Sequence, residues 1–407
     1  MKKLYTLTIF VLAVFTAKAQ WDSTDCGTTT TNFTIHIYFV NDNVGYVAGG
    51  AANGVVKTID GGTTWSNISP GTLPSGNYSD IYFLNADTGF LSVTTMTGGP
   101  VYYKTINGGI NWTDISSSCG IGSQGANDLE FINSTTGFAV GGLGSGSYIY
   151  KTTDGGNTYS PASNPTINPL ANITFINNNI GFLADNSGGI YKTINQGASW
   201  SLSVAASAGV NQIYFVTDSI GFATGTGGSE LYRTTNQGAS WTILPVGDYL
   251  VSIVFANSMI GYVSSIGGLV PNYVYKTTDG GANWNVDATL SGARRKYQFF
   301  KTPNNTLFLT ADTGIVYRNI SYVTDVLNQP GNDLGMILIS PNPSTGIFTL
   351  QSTTEVTAIE IYDVLGDLIY TSKENISLLD ISAFADGVYF LILKTENGTA
   401  SKKLIKN

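Results

Sequence analysis

Val56-Lys57-Thr58-Ile59-Asp60-Gly61-Gly62-Thr63-Thr64-Trp65 returns far along the chain as Tyr275-Lys276-Thr277-Thr278-Asp279-Gly280-Gly281-Ala282-Asn283-Trp284, and four further copies lie between. The copies close on Trp65, Trp112, Tyr159, Trp200, Trp241 and Trp284, spaced 41 to 47 residues apart. A fixed period of this size signals blades or solenoid units. A second phrase, apolar-x-Phe followed by a turn and Gly-aromatic, is read at Phe39, Phe83, Phe131, Phe175, Phe215, Phe255 and Phe299, one copy more than the first. Each period reads as strand, Asn/Asp/Gly turn, strand, variable loop, strand, Asp-Gly-Gly turn and a last strand opening near the Trp. Four antiparallel strands make one propeller blade.

The missing seventh copy of the first phrase is informative. Val316-Tyr317-Arg318 matches its opening, but no Asp-Gly-Gly-x-x-Trp follows. Trp21 precedes Ile37 by the same 16 residues that separate Trp65 from Ile81. The N-terminal strand is therefore expected to complete blade seven, which pairs the two ends of the ring and leaves no open sheet edge.

Thr277-x-Asp279-x-Gly281-x-x-Trp284 resembles the Asp-box of sialidase-like propellers, and the whole repeat resembles the seven-bladed family named for photosystem II assembly and stability factors. The resemblance covers about residues 21 to 320. Copies four and five carry Asn195 and Asn236 where the box has Asp. The carboxylate or carboxamide of such a turn accepts backbone N–H bonds and Gly allows positive φ. Asp60, Asp154 and Asp279, with Trp65, Trp112, Trp200, Trp241 and Trp284, are accordingly assigned to structure rather than chemistry. The basic residue recurring at Lys57, Lys104, Lys151, Lys192, Arg233, Lys276 and Arg318 is expected at a solvated outer-strand position.

The ends of the chain speak of export. Lys2-Lys3, the apolar run from Leu4 to Phe15 and Ala17-Lys18-Ala19 read as a signal peptide over 1–19, with the mature chain beginning at Gln20. The run is too short to span a bilayer, and no transmembrane segment is expected. Residues 20–326 are assigned to the propeller and 327–335, a short Pro/Gly/Asn stretch that breaks the period, to a linker. Within 336–407, Ile339-Ser340-Pro341-Asn342-Pro343-Ser344-Thr345-Gly346, Ile361-Tyr362-Asp363, Gly387-Val388-Tyr389-Phe390-Leu391 and Lys402-Lys403-Leu404 resemble, in order, the type A sorting domain of type IX secretion. Alternating strand runs bounded by Gly and Asn turns make this segment a small β-sandwich. The fold class is thus all-β, a seven-bladed propeller followed by a small β-sandwich, and the resemblance implies the type IX secretion machinery as partner of residues 336–407.

Charged residues are only 11% of the 407 and the formal net charge is −8, which disfavours nucleic acid. The chain has one His and four Arg, so neither a Ser/His/Asp set nor a metal cluster is legible, and no cofactor is expected. Sialidase chemistry in the resembled family requires an arginine trio that this sequence lacks. The first reading is a secreted or cell-surface binding module for an extracellular protein or glycan. The alternative is an extracellular glycosidase of a sialidase-like or xyloglucanase-like propeller class, with Asp80, Asp128 and Glu130 as candidate carboxylates if two of them stand about 5 to 9.5 Å apart.

Two further expectations concern sites. The residues before each apolar-x-Phe strand, read as His36, Asp80, Asp128, Asn172, Gln212, Ser252 and Lys296, should ring one mouth of the channel, with Arg294, Arg295 and Lys296 as a basic side. Cys26 and Cys119, the two cysteines, follow blade-closing Trp residues and are expected to form a disulfide on one face of an exported protein.

Overall fold

The computed structural model describes residues 21–319 and 337–406, except 28–35, 50–53, 69–72, 75, 96–98, 122–125, 144–145, 226–229, 248, 267–271, 288–289, 291–293, 341–343, 353–354, 364–367, 374–376 and 396–397. The expected signal peptide and linker lie outside the described residues. The chain divides into a unit ending at Ile320 and one beginning at Ser321.

The first unit contains seven four-stranded antiparallel sheets. Blade one runs His36–Phe39, Gly45–Ala48, Val55–Thr58 and Ser66–Asn67, and the same meander repeats through blade six. Blade seven supplies Lys296–Lys301, Leu307–Ala311 and Ile315–Asn319, and its outer strand is Asp22–Asp25 from the N-terminus. The closing register is Asp22↔Arg318 through Asp25↔Ile315. Trp21 is buried beside it, edge-on to Tyr262 at 5.4 Å between ring centroids. The first strands of successive blades touch one another, and blade seven touches blade one, so they enclose a central channel.

Aromatic stacking holds the seams. The aromatic after the strand-two Gly of one blade meets the Phe of the next, as in Tyr46 on Phe83 at 3.8 Å, Phe138 on Phe175 at 5.2 Å and Phe308 on Phe39 at 4.1 Å. Each such Phe also lies flat over the Gly it pairs with inside its own blade. A Cβ on Gly45 would stand 2.5 Å from the Phe39 ring, and one on Gly181 would stand 2.6 Å from Phe175. Only glycine tolerates that approach.

Blade seven departs from the pattern and corrects the sequence frame. By register Lys301 pairs Leu307 where blade one pairs Phe39 with Gly45, and Phe299 pairs Leu309 where blade one pairs Ile37 with Val47. A bulge between Lys296 and Phe299 adds one residue, as the bulge between Leu250 and Ser252 does in blade six. With Lys301 in place of the Phe ring, a leucine fits where the other six blades need glycine. Phe299 therefore stands two residues before the Phe position, and Tyr262 meets it at a longer 6.2 Å.

The Asp-box turns are self-contained. Thr58 Oγ1 accepts from Gly62 N–H and donates to Asp60 Oδ1, which also accepts from the N–H groups of Thr63 and Thr64. These bonds, led by the Thr64 hydroxyl, hold the Asp60 carboxyl at about 2, well below the usual carboxylate range. Asn107 takes the Asp place in copy two as well, accepting from Asn111 N–H. The Trp residues pack edge-on against the blade's Phe, with Trp65 on Phe39 at 6.0 Å and Trp284 on Phe255 at 5.9 Å.

Two expectations are overturned. The repeated basic residue is not merely solvated. Lys57 Nζ lies 5.1 Å above the Tyr46 ring and donates to Gly108 O of the next blade's turn, Lys151 and Lys192 donate likewise to Gln196 O and Gln237 O, and Arg318 donates to Gly61 O. The side chain thus clamps one blade to the following turn, its stem covering an aromatic face. Nor are Cys26 and Cys119 joined. Both are buried, Cys26 with Ile37, Val56 and Phe308 at the closing seam, and Cys119 with Phe90, Tyr102 and Tyr159 at the seam of blades two and three. Each loop folds inward to fill its own inter-blade core, which separates the two thiols.

The second unit is a sandwich of a three-stranded sheet, Ile337–Ser340, Ile347–Ser352 and Leu378–Asp380, and a four-stranded sheet, Leu368–Ser372, Val356–Tyr362, Gly387–Thr395 and Gly398–Lys406. Phe348, Ile359, Ile361, Ile381, Leu391, Leu393 and Leu404 form its core. The quoted motifs meet there. Tyr389 pairs Leu404 in register, Ser344 N–H bonds Ile405 O, and Ile381 N–H bonds Gly346 O at 2.7 Å.

Candidate functional site

Strand periodicity decides which side chains reach the channel. In each first strand the apolar residue and the Phe point into the blade seams, so the residue before them and the residue between them face inward. The inward set forms a belt. Leu129 N–H donates to Asp80 Oδ2 at 2.9 Å, Ile173 N–H to Asp128 Oδ2 at 2.7 Å, Ile213 N–H to Asn172 Oδ1 at 2.9 Å, and Ile253 N–H to Gln212 Oε1 at 2.8 Å. Phe299 N–H continues it to Ser252 Oγ at 2.9 Å and Ile37 N–H to Gln298 Oε1 at 2.7 Å. Every one of these bonds crosses from one blade to the next. A bulge just before the belt residue, seen at Tyr78/Asp80, Leu170/Asn172, Val210/Gln212 and Leu250/Ser252, turns its side chain toward the neighbour.

The blade-seven member is Gln298, not Lys296. Arg294 is exposed and bonds Thr313 Oγ1, with Asp312 Oδ1 at 4.0 Å, while Arg295 O accepts from Asp312 N–H. Neither arginine borders the channel cavity described next, whereas His36, Asp80 and Asp128 do. The two arginines of the expected basic side are therefore absent from the lining.

Two cavities meet at the belt. One, about 250 Å³, opens on the face where the first strands begin and is lined by His36, Asn127, Asn211 and Tyr297 together with the belt residues. The other, about 190 Å³, lies toward the face carrying the Asn and Asp-box turns. Asp80, Asp128, Asn172, Gln212 and Gln298 border both and form the waist of the channel. The backbone bonds use Gln212 Oε1 and Gln298 Oε1, which leaves their Nε2 amides to the cavity.

Charge at the waist is suppressed. Burial, and then the Asp128 charge, push Asp80 well above the usual carboxylate range, and burial raises Asp128 to about 7. Burial and their mutual charge keep the two carboxyls from both ionising near neutral pH. Glu130, on the turn side of the waist, rises to about 8 through burial and the Asp128 charge. Burial lowers His36 to about 4, so its imidazole is neutral. Both carboxyls are committed to the belt, Asp80 Oδ2 to Leu129 N–H and Asp128 Oδ2 to Ile173 N–H.

Residues 338–407 match the family model described as the secretion system C-terminal sorting domain. The C-terminal unit is a sorting domain. Sorting domains of this kind address a protein to type IX secretion, and so to the cell surface or beyond. The motifs that meet around Leu404 and Gly346 are those of the sorting domain's own core. Among solved structures the chain is similar to YCF48 bound to a D1 peptide, at 17% identity and TM-score 0.58, covering 74% of this chain and 97% of that one. It is likewise similar to YCF48 from Cyanidioschyzon merolae, at 17% and 0.57 over 74% and 98%, and to the GH74 enzyme of Niastella koreensis, at 14% and 0.57 over 93% and 67%. Identities this low show a shared propeller fold. No curated protein matches the sequence. Among the described residues no helix is long and apolar enough to cross a membrane.

Proposed function

We propose that the protein is a secreted or cell-surface binding module, carried out by its sorting domain, that captures a polar extracellular ligand at the mouth of the propeller channel. The observation that carries this reading is the cavity of about 250 Å³ lined by His36, Asn127, Asn211, Gln212 and Gln298, with Tyr297, Val251 and Ile266 as its apolar wall. Its size suits a terminal sugar or a short peptide side chain rather than a whole polymer. Carboxamides offering donors and acceptors beside a half-protonated carboxyl pair suit hydroxyl or amide groups. An amino-terminal export signal over 1–19 and release or anchoring after sorting belong to the same proposal.

Screening the full chain against glycan and peptide arrays tests it. Ala171 lines the same cavity and no belt bond uses its side chain, so Ala171→Trp fills the mouth without cutting a seam. Capture that vanishes in this variant supports the mouth; capture that persists refutes it.

A further inference from the structure

The cavity of about 190 Å³ on the turn side of the waist has a different chemistry. Its inward residues are those between the apolar residue and the Phe of each first strand, and they include Tyr38, Tyr82, Tyr214, Phe300 and Glu130. Tyr38 stands between its neighbours, 5.0 Å from Tyr82 at an interplanar angle of 50° and 5.4 Å from Phe300 at 58°. Blades seven, one and two thus present a splayed wall of three rings, with Tyr214 of blade five facing the same space. Tyr82 OH donates to Phe131 O and Tyr214 OH to Phe255 O, each in the following blade, so these rings are fixed before any ligand arrives. Glu130 of blade three lies beside that wall, and among the described residues no Lys or Arg lines the cavity.

We propose that this chamber binds an organic ammonium group, held against the rings of Tyr38, Tyr82, Tyr214 and Phe300 with Glu130 as its counter-ion. Aromatic faces attract a cation within about 6 Å of the ring centre, most strongly when water is excluded. The apolar rings also cover the methyl or methylene groups that an ammonium ion carries and a metal ion lacks. No grouping of three or more His, Cys, Asp or Glu suited to a metal occurs among the described residues. The volume lies below the roughly 300 Å³ at which pockets for drug-sized ligands begin, so a head group enters rather than a polymer. Burial and the Asp128 charge hold Glu130 up at about 8, a cost that an incoming cation relieves. The groups facing Glu130 are Asp128 on its own strand and Tyr38 and Tyr82 on the strands of blades one and two, and none of them is cationic. Cation entry therefore ionises Glu130 and releases a proton. This site is separate from the mouth, and filling the mouth with Ala171→Trp leaves it intact.

Calorimetric titration of the full chain at pH 7 tests the chamber, with choline as a free ammonium base, an Nα-acetylated lysine amide as a peptide-borne one, and 3,3-dimethylbutanol as the uncharged isostere of choline. The expected result is saturable binding of at least one cation, at least about tenfold weaker binding of the isostere, and proton release seen as a difference between buffers of unequal ionisation heat. Glu130→Gln keeps the shape and an acceptor oxygen, and is expected to bring the cation down to the level of the isostere with the thermal midpoint held or raised. Binding by the lysine amide alone places the head group on a peptide, and binding by choline alone makes it a free base; both support the site. Equal binding of choline and the isostere, full binding by Glu130→Gln, or no binding of either cation overturns it.

Discussion

His36 Nδ1 stands 3.7 Å from Asp80 Oδ1 across the seam of blades one and two, and this seam lacks the belt bond that joins the other blades. Ile81 N–H, the group that His36 would be placed to receive, is taken at 2.8 Å by Asp80 of its own blade. His36 Nδ1 is buried without a hydrogen-bond partner among the described residues. The ring therefore has a weak seam, and it adjoins the three carboxyls whose protonation is displaced.

Those displacements make stability depend on pH in a stated direction. Asp80, Asp128 and Glu130 are raised, so the folded chain binds more protons than the unfolded one, and their contribution is full below about pH 4 and lost as pH rises, through about 7 for Asp128 and about 8 for Glu130. His36 is lowered to about 4 and works the other way, its contribution present above about pH 6.5 and lost as pH falls toward 4. Three groups outweigh one. Urea unfolding is expected to give a chain more stable at pH 5 than at pH 8 by on the order of 2 kcal/mol, and Asp128→Asn is expected to remove much of the difference. A stability that rises from pH 5 to 8 contradicts the buried-carboxyl account.

Gly181→Ala puts a methyl group 2.6 Å from the Phe175 ring, which is itself stacked on Phe138 of the preceding blade. Overpacking of this kind costs about 1–3 kcal/mol. Leu307→Ala in blade seven, where Lys301 replaces the ring, opens a cavity instead and costs about 2–5 kcal/mol with no relief from trimming its partner. Phe175→Leu combined with Gly181→Ala is expected to recover part of the first loss, which thermal melting of the three variants reads.

Closure rests on the strand Asp22–Asp25 and on Trp21. Trp21→Ala is expected to lower stability by about 3–5 kcal/mol, as for a buried tryptophan. Deleting residues 21–25 exposes the edge of Ile315–Asn319 and is expected to yield dimers or aggregates in light scattering. A monomeric deletion variant with an unchanged melting point would falsify the closure.

Both thiols are buried in different seams, so intact mass should be the same with and without reductant, and alkylation of Cys26 and Cys119 should require denaturant. A mass two units lower before reduction would restore the disulfide.

Much of this architecture is legible in the residues, for physical reasons. The 16-residue interval from Trp21 to Ile37 repeats the interval within complete blades, and closure follows from it. The polar position before each apolar-x-Phe strand is equally visible, since strand alternation turns it inward. Blade seven hides its frame because Lys301 and Leu307 replace the Phe and Gly that mark it, while Tyr297-Gln298-Phe299 imitates the phrase two residues early. The phrase as it stands in the sequence therefore points to Lys296, two residues before Gln298. The grip of Lys57 on Gly108 could not be read, because local sequence does not say what lies across a seam; the aromatic recurring at Tyr46, Phe90 and Phe138 was the available clue. The cavity toward the turns escaped notice for a related reason, since Tyr38, Tyr82 and Phe300 sit in the variable slot of the repeat.

The recurring basic-residue couplings between blades run one way around the ring. Lys57 reaches from blade one to two, Lys104 from two to three, Lys151 from three to four, Lys192 from four to five, and Arg318 from seven to one. The belt side chains take N–H groups in the same rotational sense. Where these joints recur, a blade presents a plug on its leading side to a socket on the next. A gene that duplicates or loses one whole period leaves a chain whose remaining joints still match, so rings of other sizes lie a single recombination away, without any new contact having to arise.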